Sequence, residues 1–301
     1  MSLASLLPYD HPYAGGYPGI GSQPLPTDTD ALDYLARVKA ADGAGVETGV
    51  AVAVDAFVRD TKAAGVFSAL KACCLLAGAR TLAGALVPLA GDAPTSNGFV
   101  SGDFSRTSGL TGDGTSYLDS GRNNNADPQN DFHMLVYETE AVAGNKPLMG
   151  CGVITNENGV SNFGRYSLTN WFTRSRHGAG FIDQSYPAGP AGLAGSNRSA
   201  SSTVTVRSFG VSTSSAQASQ TPFSGNITVF GLANIPSFTS NTLAFYSIGT
   251  AIPDLDALEA SLENLINRLK FALLTGENPA PYDIDTVAYV VLGYENGSTL
   301  Q

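Results

Sequence analysis

Apolar positions along this chain change their period twice. Between residues 28 and 64 they recur every three or four residues, the spacing of helices with one buried face. Leu32, Leu35 and Val38 make a first stripe, with Thr27 or Asp28 placed to cap it and Gly43 just past its end. Val46, Val50, Val54, Phe57 and Val58 make a second stripe, stopped by Gly65. Phe67, Leu70, Cys74 and Ala77 carry the helical spacing into a third segment, which predicts a small bundle with short turns. From Phe99 to about Gly249 the pattern shortens to strand-like runs at 115–118, 132–139, 148–154, 170–175, 203–209, 226–231 and 243–248, parted by Gly, Asn, Ser and Pro. Strands so spaced, with no helix between them, predict a β-sandwich. Pro253-Asp254 then opens a last helix, in which Leu255, Leu258, Leu262, Leu265 and Leu269 follow a 3-4-3-4 spacing. That short seam either packs on the sandwich or joins copies of the chain.

The division predicts four parts: an extended arm at 1–27, a helical anchoring domain at 28–92, a sandwich at 93–253, and a C-terminal helix and tail at 254–301. The arm alternates five prolines with Tyr9, Tyr13 and Tyr17, a composition suited to docking in a groove rather than to building a core. These three tyrosines are its candidate anchoring residues.

Composition narrows the function classes. Charged residues are 14% of the chain against about 25% in an average domain, and glycine, at 34 residues, is in excess. With 43% hydrophobic residues the chain is too apolar to be disordered. A net charge of −10 and the lack of any Lys/Arg cluster argue against nucleic acid and against an anionic membrane surface. Residues 73–90 are apolar, but Arg80, Gly78, Gly84 and Pro88 interrupt them, so no membrane insertion is expected. Residues 1–7 lack the features of a signal peptide, and Cys73, Cys74 and Cys151 form no disulfide framework. Maturation in a reducing cytosol follows as an expectation. The charge is unevenly placed: residues 151–250 hold five Arg, no Lys and two acids, and 208–253 hold no charged side chain.

Two sets of residues resemble known families. Asp113-Gly114-Thr115-Ser116-Tyr117-Leu118-Asp119, followed by Asn130-Asp131-Phe132-His133-Met134-Leu135-Val136-Tyr137, resembles the opening of laminin-G-like, concanavalin A-like jelly rolls. The run 224–230 and the run 243–249, followed by the 255–269 helix, resemble that fold's ending. The segments 75–89, 99–104, 123–130 and 245–249, in that order, are similar to virion proteins of tailed bacteriophages that pair a small helical domain with this jelly roll. The resemblance covers roughly residues 30–270. It implies an α+β fold: an N-terminal small helical domain, then a concanavalin A-like β-sandwich, then a C-terminal helix. It also implies a structural part of the particle, such as an exterior capsid decoration, a fibre or a tail fibre protein, assembled in the bacterial cytoplasm. Other virion proteins and copies of itself, first of all as a homotrimer, are the implied partners.

Candidate chemistry is sparse, and the expectation is a non-enzymatic protein without cofactor or metal. No G-x-S-x-G, H-E-x-x-H, C-x-x-C or phosphate-loop motif occurs. Asp113, Asp119, Asn123 and Asp127 are oxygen donors that could serve a hard cation, but Gly-rich turns use the same residues. Glycoside hydrolysis needs two carboxylates on one face of a strand, and Glu138-Thr139-Glu140 supplies two. The third Glu and the central Asp of the glucanase pattern are missing, so a glycan-degrading depolymerase is a minor alternative. Glycan binding needs aromatic faces, planar Arg and amides. Trp171, Arg165, Tyr166, Arg174, Asn197 and Arg198 are the candidates, and an adhesin for host surface polysaccharide is the alternative reading.

Overall fold

A computed structural model describes residues 25–142, 144, 146–152, 158–178, 180–185 and 192–274. Tyr9, Tyr13 and Tyr17, and the tail after residue 274, lie outside the described residues.

The helical segments begin where local chemistry starts them. Asp28 accepts hydrogen bonds from the Asp30 and Ala31 amides and so caps α1 (Thr29–Asp42). Gly43, at φ 73°, closes it in the left-handed region that glycine enters without a Cβ penalty. The next helix, α2 (Thr48–Ala63), buries Val50 to Val58 on every side, because it lies beneath α1, beneath the last helix and on a sheet at once. After the single turn α3 (Leu82–Ala85), the remaining helix is α4 (Leu255–Leu274), packed along α2. Gly49 permits that approach: a Cβ there would lie 2.8 Å from the Cβ of Ala272.

Eighteen strands make up the rest of the described residues. The first six are β1 (Leu70–Leu75), β2 (Pro88–Ala90), β3 (Thr95–Asn97), β4 (Phe104–Ser105), β5 (Gly109–Thr111) and β6 (Tyr117–Asn123). Then come β7 (Phe132–Glu140), β8 (Lys146–Cys151), β9 (Ser161–Arg165), β10 (Asn170–Ser175), β11 (Ile182–Ser185) and β12 (Gly192–Arg198). The last six are β13 (Thr203–Ser208), β14 (Val211–Ala216), β15 (Asn226–Val229), β16 (Gly231–Leu232), β17 (Ser237–Phe238) and β18 (Thr242–Gly249). One sheet runs β14-β13-β12-β7-β18-β1-β2, with β5 on β18 and β4 on β5. The second runs β11-β10-β9-β8-β15-β6-β3, and β16 pairs with β17 alone. All the pairings are antiparallel.

The molecule is therefore an α+β β-sandwich in three layers. Phe132, Met134 and Val136 of β7 face the second sheet, together with Tyr246 and Ile248 of β18. Leu135 and Tyr137 face α2 and α4, together with Phe245. Small residues let the layers close. A Cβ at Gly195, in the middle of β12, would strike the carbonyl of Met134.

Two expectations are corrected. Residues 70–77 are not a third helix: Leu70–Leu75 is a central strand, pairing with β18 through Cys73↔Ser247 and Leu75↔Phe245. Both of its faces are covered, Cys73 and Leu75 by helices and Ala72 and Cys74 by the second sheet, so every position but Lys71 is apolar. A strand buried on both sides loses its alternation and reads like a helix. It follows that 28–92 is not a separate helical domain ahead of a sandwich at 93–253, because β1 and β2 belong to the sheet and the first two helices share a core with it.

The leucine seam of α4 is also spent within the chain. Leu258, Leu262, Leu265 and Leu269 are buried against α2 and the larger sheet, with Leu255 partly buried at the start. They are core positions, not a free self-association face.

Candidate functional site: buried arginines and a neutral surface

The five arginines of residues 151–250 are all interior. Arg165, at the end of β9, points between the sheets and pairs with Glu138 of β7, its Nε 3.1 Å from Oε2. Its Nη1 donates to the Leu168 carbonyl at 2.8 Å. The guanidinium lies 4.0 Å from the Trp171 ring centroid and 4.9 Å from that of Phe209, and the Asn241 amide donates to Glu138 on the other side. Burial pushes the Glu138 carboxyl up, while Arg165 and Asn241 pull it back. On the helix side, Arg207 of β13 pairs with Glu259 and Asp256 of α4, joining the sheet edge to the helix.

Two of the others hold loops through carbonyls. Arg176, at φ 52°, donates to the carbonyls of Asn124, Asp127 and Pro128, with the Phe132 ring 3.8 Å from its guanidinium carbon. Arg198 donates to the carbonyls of Ser175, Ala200 and Gln217. Burial lowers both to about 10, so both remain cationic at neutral pH. Arg174 reaches the Gly178 carbonyl at 3.3 Å and lies over the Phe181 ring. An arginine presents five donors in a rigid fork, which suits it to tie several turns at once.

This placement corrects the glycan-site expectation for five of its six residues. Trp171 is 2% exposed and packs in the core, the ordinary fate of a single tryptophan in a sandwich. Arg165 and Arg198 are turned inward, Arg174 is buried on the outer face of its strand against Phe181, and Asn197 spends its amide on the backbone of Ile252. Strand alternation is the reason: Trp171 and Thr173 face the core while Phe172 and Arg174 face the other way. Only Tyr166 is exposed, at the turn between β9 and β10. Its ring is 4.9 Å from Phe172, and a hydrogen bond to Asp183 of β11 raises its hydroxyl further above the value set by burial. Asn170 and Ser185 lie beside it, joined by a 2.6 Å hydrogen bond.

The carboxylate candidates are engaged in local structure. Asp113 accepts from the Thr115 and Ser116 amides at 2.7 Å, and these bonds lower it to about 2. Asp119 accepts from Gly121 and Asn226, Asn123 from Asn125 and Gly225, and Asp127 pairs with Arg122. Among the described residues no three His, Cys, Asp or Glu side chains gather as a metal-ligand set. Glu138 is sealed inside while Glu140 is exposed at the strand end, so the two do not share an open cleft.

Two surface features were not foreseen as sites. A polar groove of about 540 Å³ lies where β12 meets the entry to α4, lined by Ser199, Thr205, Ser212, Asp254 and Asp256 among others. Next to it, β14 is the last strand of the larger sheet and is exposed at every position but Ser215, which is half-buried. The sequence signal for this edge was the charge-free stretch that contains it.

No family model matches the chain, and no curated protein matches it. Among solved structures it is similar to Trypanosoma rangeli sialidase, at 11% identity and a TM-score of 0.40, over 72% of this chain and 38% of that one. It is similar to the same sialidase in complex with sialic acid, at 10% identity and a TM-score of 0.37, over 68% and 33% of the two chains. The covalent intermediate with 2,3-difluorosialic acid matches at 11% identity and a TM-score of 0.38, again over 68% and 33%. The chain thus spans about two fifths or less of the length of these sialidases. Because they are enzymes, the expectation of a non-enzymatic protein is withdrawn. At these TM-scores the likeness carries no activity or substrate to this chain.

Proposed function

We propose that the chain is a structural subunit of a tailed-bacteriophage particle, held by its N-terminal 27 residues and displaying the sandwich on the exterior of the capsid or tail. Besides the ordered resemblance of its segments to such proteins, one structural observation supports this reading. All five arginines of residues 151–250 are buried and spent on partners within the chain, bracing loops and layers, while 208–253 carries no charge at all. A rigid body with hydroxyl and amide surface suits a part packed among copies, where like charges of a −10 chain would repel. The test is incorporation: full-length protein should band with purified particles in a density gradient, and a variant lacking residues 1–27 should stay in the soluble fraction. Full-length protein absent from the particle band would overturn the reading.

A second reading, an adhesin for host surface polysaccharide, is favoured by the Tyr166, Asn170, Asp183 and Ser185 cluster on the outer side of β9–β11. An aromatic face beside an amide and a carboxylate is what sugar recognition requires. A glycan array probed with the full chain and with Tyr166→Ala tests it: binding lost in the variant supports it, and no binding by the full chain defeats it.

A further inference from the structure

We infer that β14 is a self-pairing edge through which two copies of this chain join their larger sheets, antiparallel and about a two-fold axis. The inference stands on the geometry of that edge and does not depend on the particle reading. An edge strand presents unpaired N–H and C=O groups, and proteins defend such edges with charge, proline, bulges or short length. The other ends of the two sheets show these defences. β2 has three residues and opens on Pro88, β3 has three residues, and β11 carries Asp183. β14 has six residues, Val211-Ser212-Thr213-Ser214-Ser215-Ala216, with no charge, no proline and no register shift against β13.

The hairpin that builds the edge defines its outward groups. Phe209 and Gly210, at φ 48° and 80°, form the two-residue turn, and Ser208 pairs with Val211 across it. The pair that closes a two-residue hairpin exchanges hydrogen bonds, so Val211, Thr213 and Ser215 bond inward to β13. Ser212, Ser214 and Ala216 are left to point their backbone groups away from the sheet. A second copy run antiparallel with Ser214 opposite Ser214 places Ser212 opposite Ala216 and meets all of these groups in hydrogen-bonded register. The facing pairs in that register are Ser212–Ala216, Thr213–Ser215 and Ser214–Ser214, with Val211 opposite Gln217, so no like-charge pair forms between two chains that are each strongly acidic. The arrangement is isologous and closes at two copies.

The experiment measures mass in solution by light scattering for the full chain and two variants. Ser214→Pro removes an outward N–H at a position an edge strand tolerates, and Ser212→Lys with Ser214→Lys adds the missing charge. The full chain should run at twice its 31.1 kDa mass and both variants at one chain mass, each melting within a few degrees of the parent. Ser214→Cys supplies a readout independent of variant folding: opposite residues of a hydrogen-bonded pair lie about 5.5 Å apart at Cα, within disulfide reach, and the three native cysteines are buried. Mild oxidation should cross-link this variant to a dimer and leave Ser215→Cys uncross-linked. A monomeric full chain, a trimer or other oligomer unchanged by Ser214→Pro, or equal cross-linking of the two cysteine variants would each overturn the inference.

Discussion

Mild acid should destabilise this protein above the pH at which its carboxylates are protonated, through His133. The residue lies on the helix-facing side of β7 and is fully buried. Its Nδ1 is 2.5 Å from the Thr250 carbonyl, so that nitrogen holds the proton and donates, and Nε2, 2.7 Å from Ser247 Oγ, accepts from the hydroxyl. Both ring nitrogens are therefore satisfied in the neutral form. Burial lowers the ring to about 4 from its usual 6.5, with the Thr250 carbonyl opposing. Between those two values the unfolded chain binds a proton that the folded chain refuses, so stability is full above pH 6.5 and falls as pH drops toward 4. At about 1.4 kcal/mol per pKa unit, the change from 6.5 to about 4 amounts to roughly 3 kcal/mol. His177, lowered to about 4 by burial and then by Arg174 and Arg198, adds a loss in the same window. Urea unfolding followed by Trp171 fluorescence at pH 7.5 and pH 4.5 reads the difference. The variant His133→Gln should start less stable at pH 7.5 and then lose about 2–3 kcal/mol less than the parent between the two pH values. Equal losses in the two proteins would refute the assignment.

Leu262→Ala should cost about 2–5 kcal/mol in the same unfolding assay and leave the oligomeric mass unchanged, because the α4 seam faces its own sheet; a fall in mass with little loss of stability would return the seam to an intersubunit role. Glu138→Leu should cost about 3–5 kcal/mol by stranding the buried Arg165, and adding Arg165→Met should recover most of that loss, which a double-mutant cycle checks. Thiol titration at pH 8 should count no reactive cysteine in the folded protein and three after denaturation, since all three are buried and desolvation pushes Cys74 to about 12 and Cys73 higher still.

Elements with one wet face were legible in the sequence. α1 follows its apolar stripe between the Asp28 cap and Gly43, and Thr203–Ser208 emerges nearly where its pattern places it. Elements wet on both faces were not, and of those dry on both faces Phe132–Glu140 and Thr242–Gly249 were found while β1 was not. β14 shows no apolar alternation because none of the described residues covers it, whereas β1 shows none because both its faces are covered. β12, Gly-Leu-Ala-Gly-Ser-Asn-Arg, looks like a loop because the layers come so close there that only small side chains fit. The glycan-site candidates failed for a related reason. A sequence names arginine and tryptophan side chains but not the sheet face they leave from, and one residue of shift separates a core position from a surface one. Only Tyr166, in a turn, escaped that ambiguity. The charge-free stretch was legible from the start, and the structure divides it: β14 lies at the exposed edge of the larger sheet, while Thr242–Gly249 is buried in the middle of that sheet.

The central claim is that this chain is built into a bacteriophage particle. Its most direct test is gold-labelled antibody against the sandwich, imaged by electron microscopy on intact particles purified from a host that produces the protein. The account predicts label at repeated positions on the exterior of capsid or tail, lost when residues 1–27 are deleted. Particles without label, with the protein recovered only from the cleared supernatant, would contradict it.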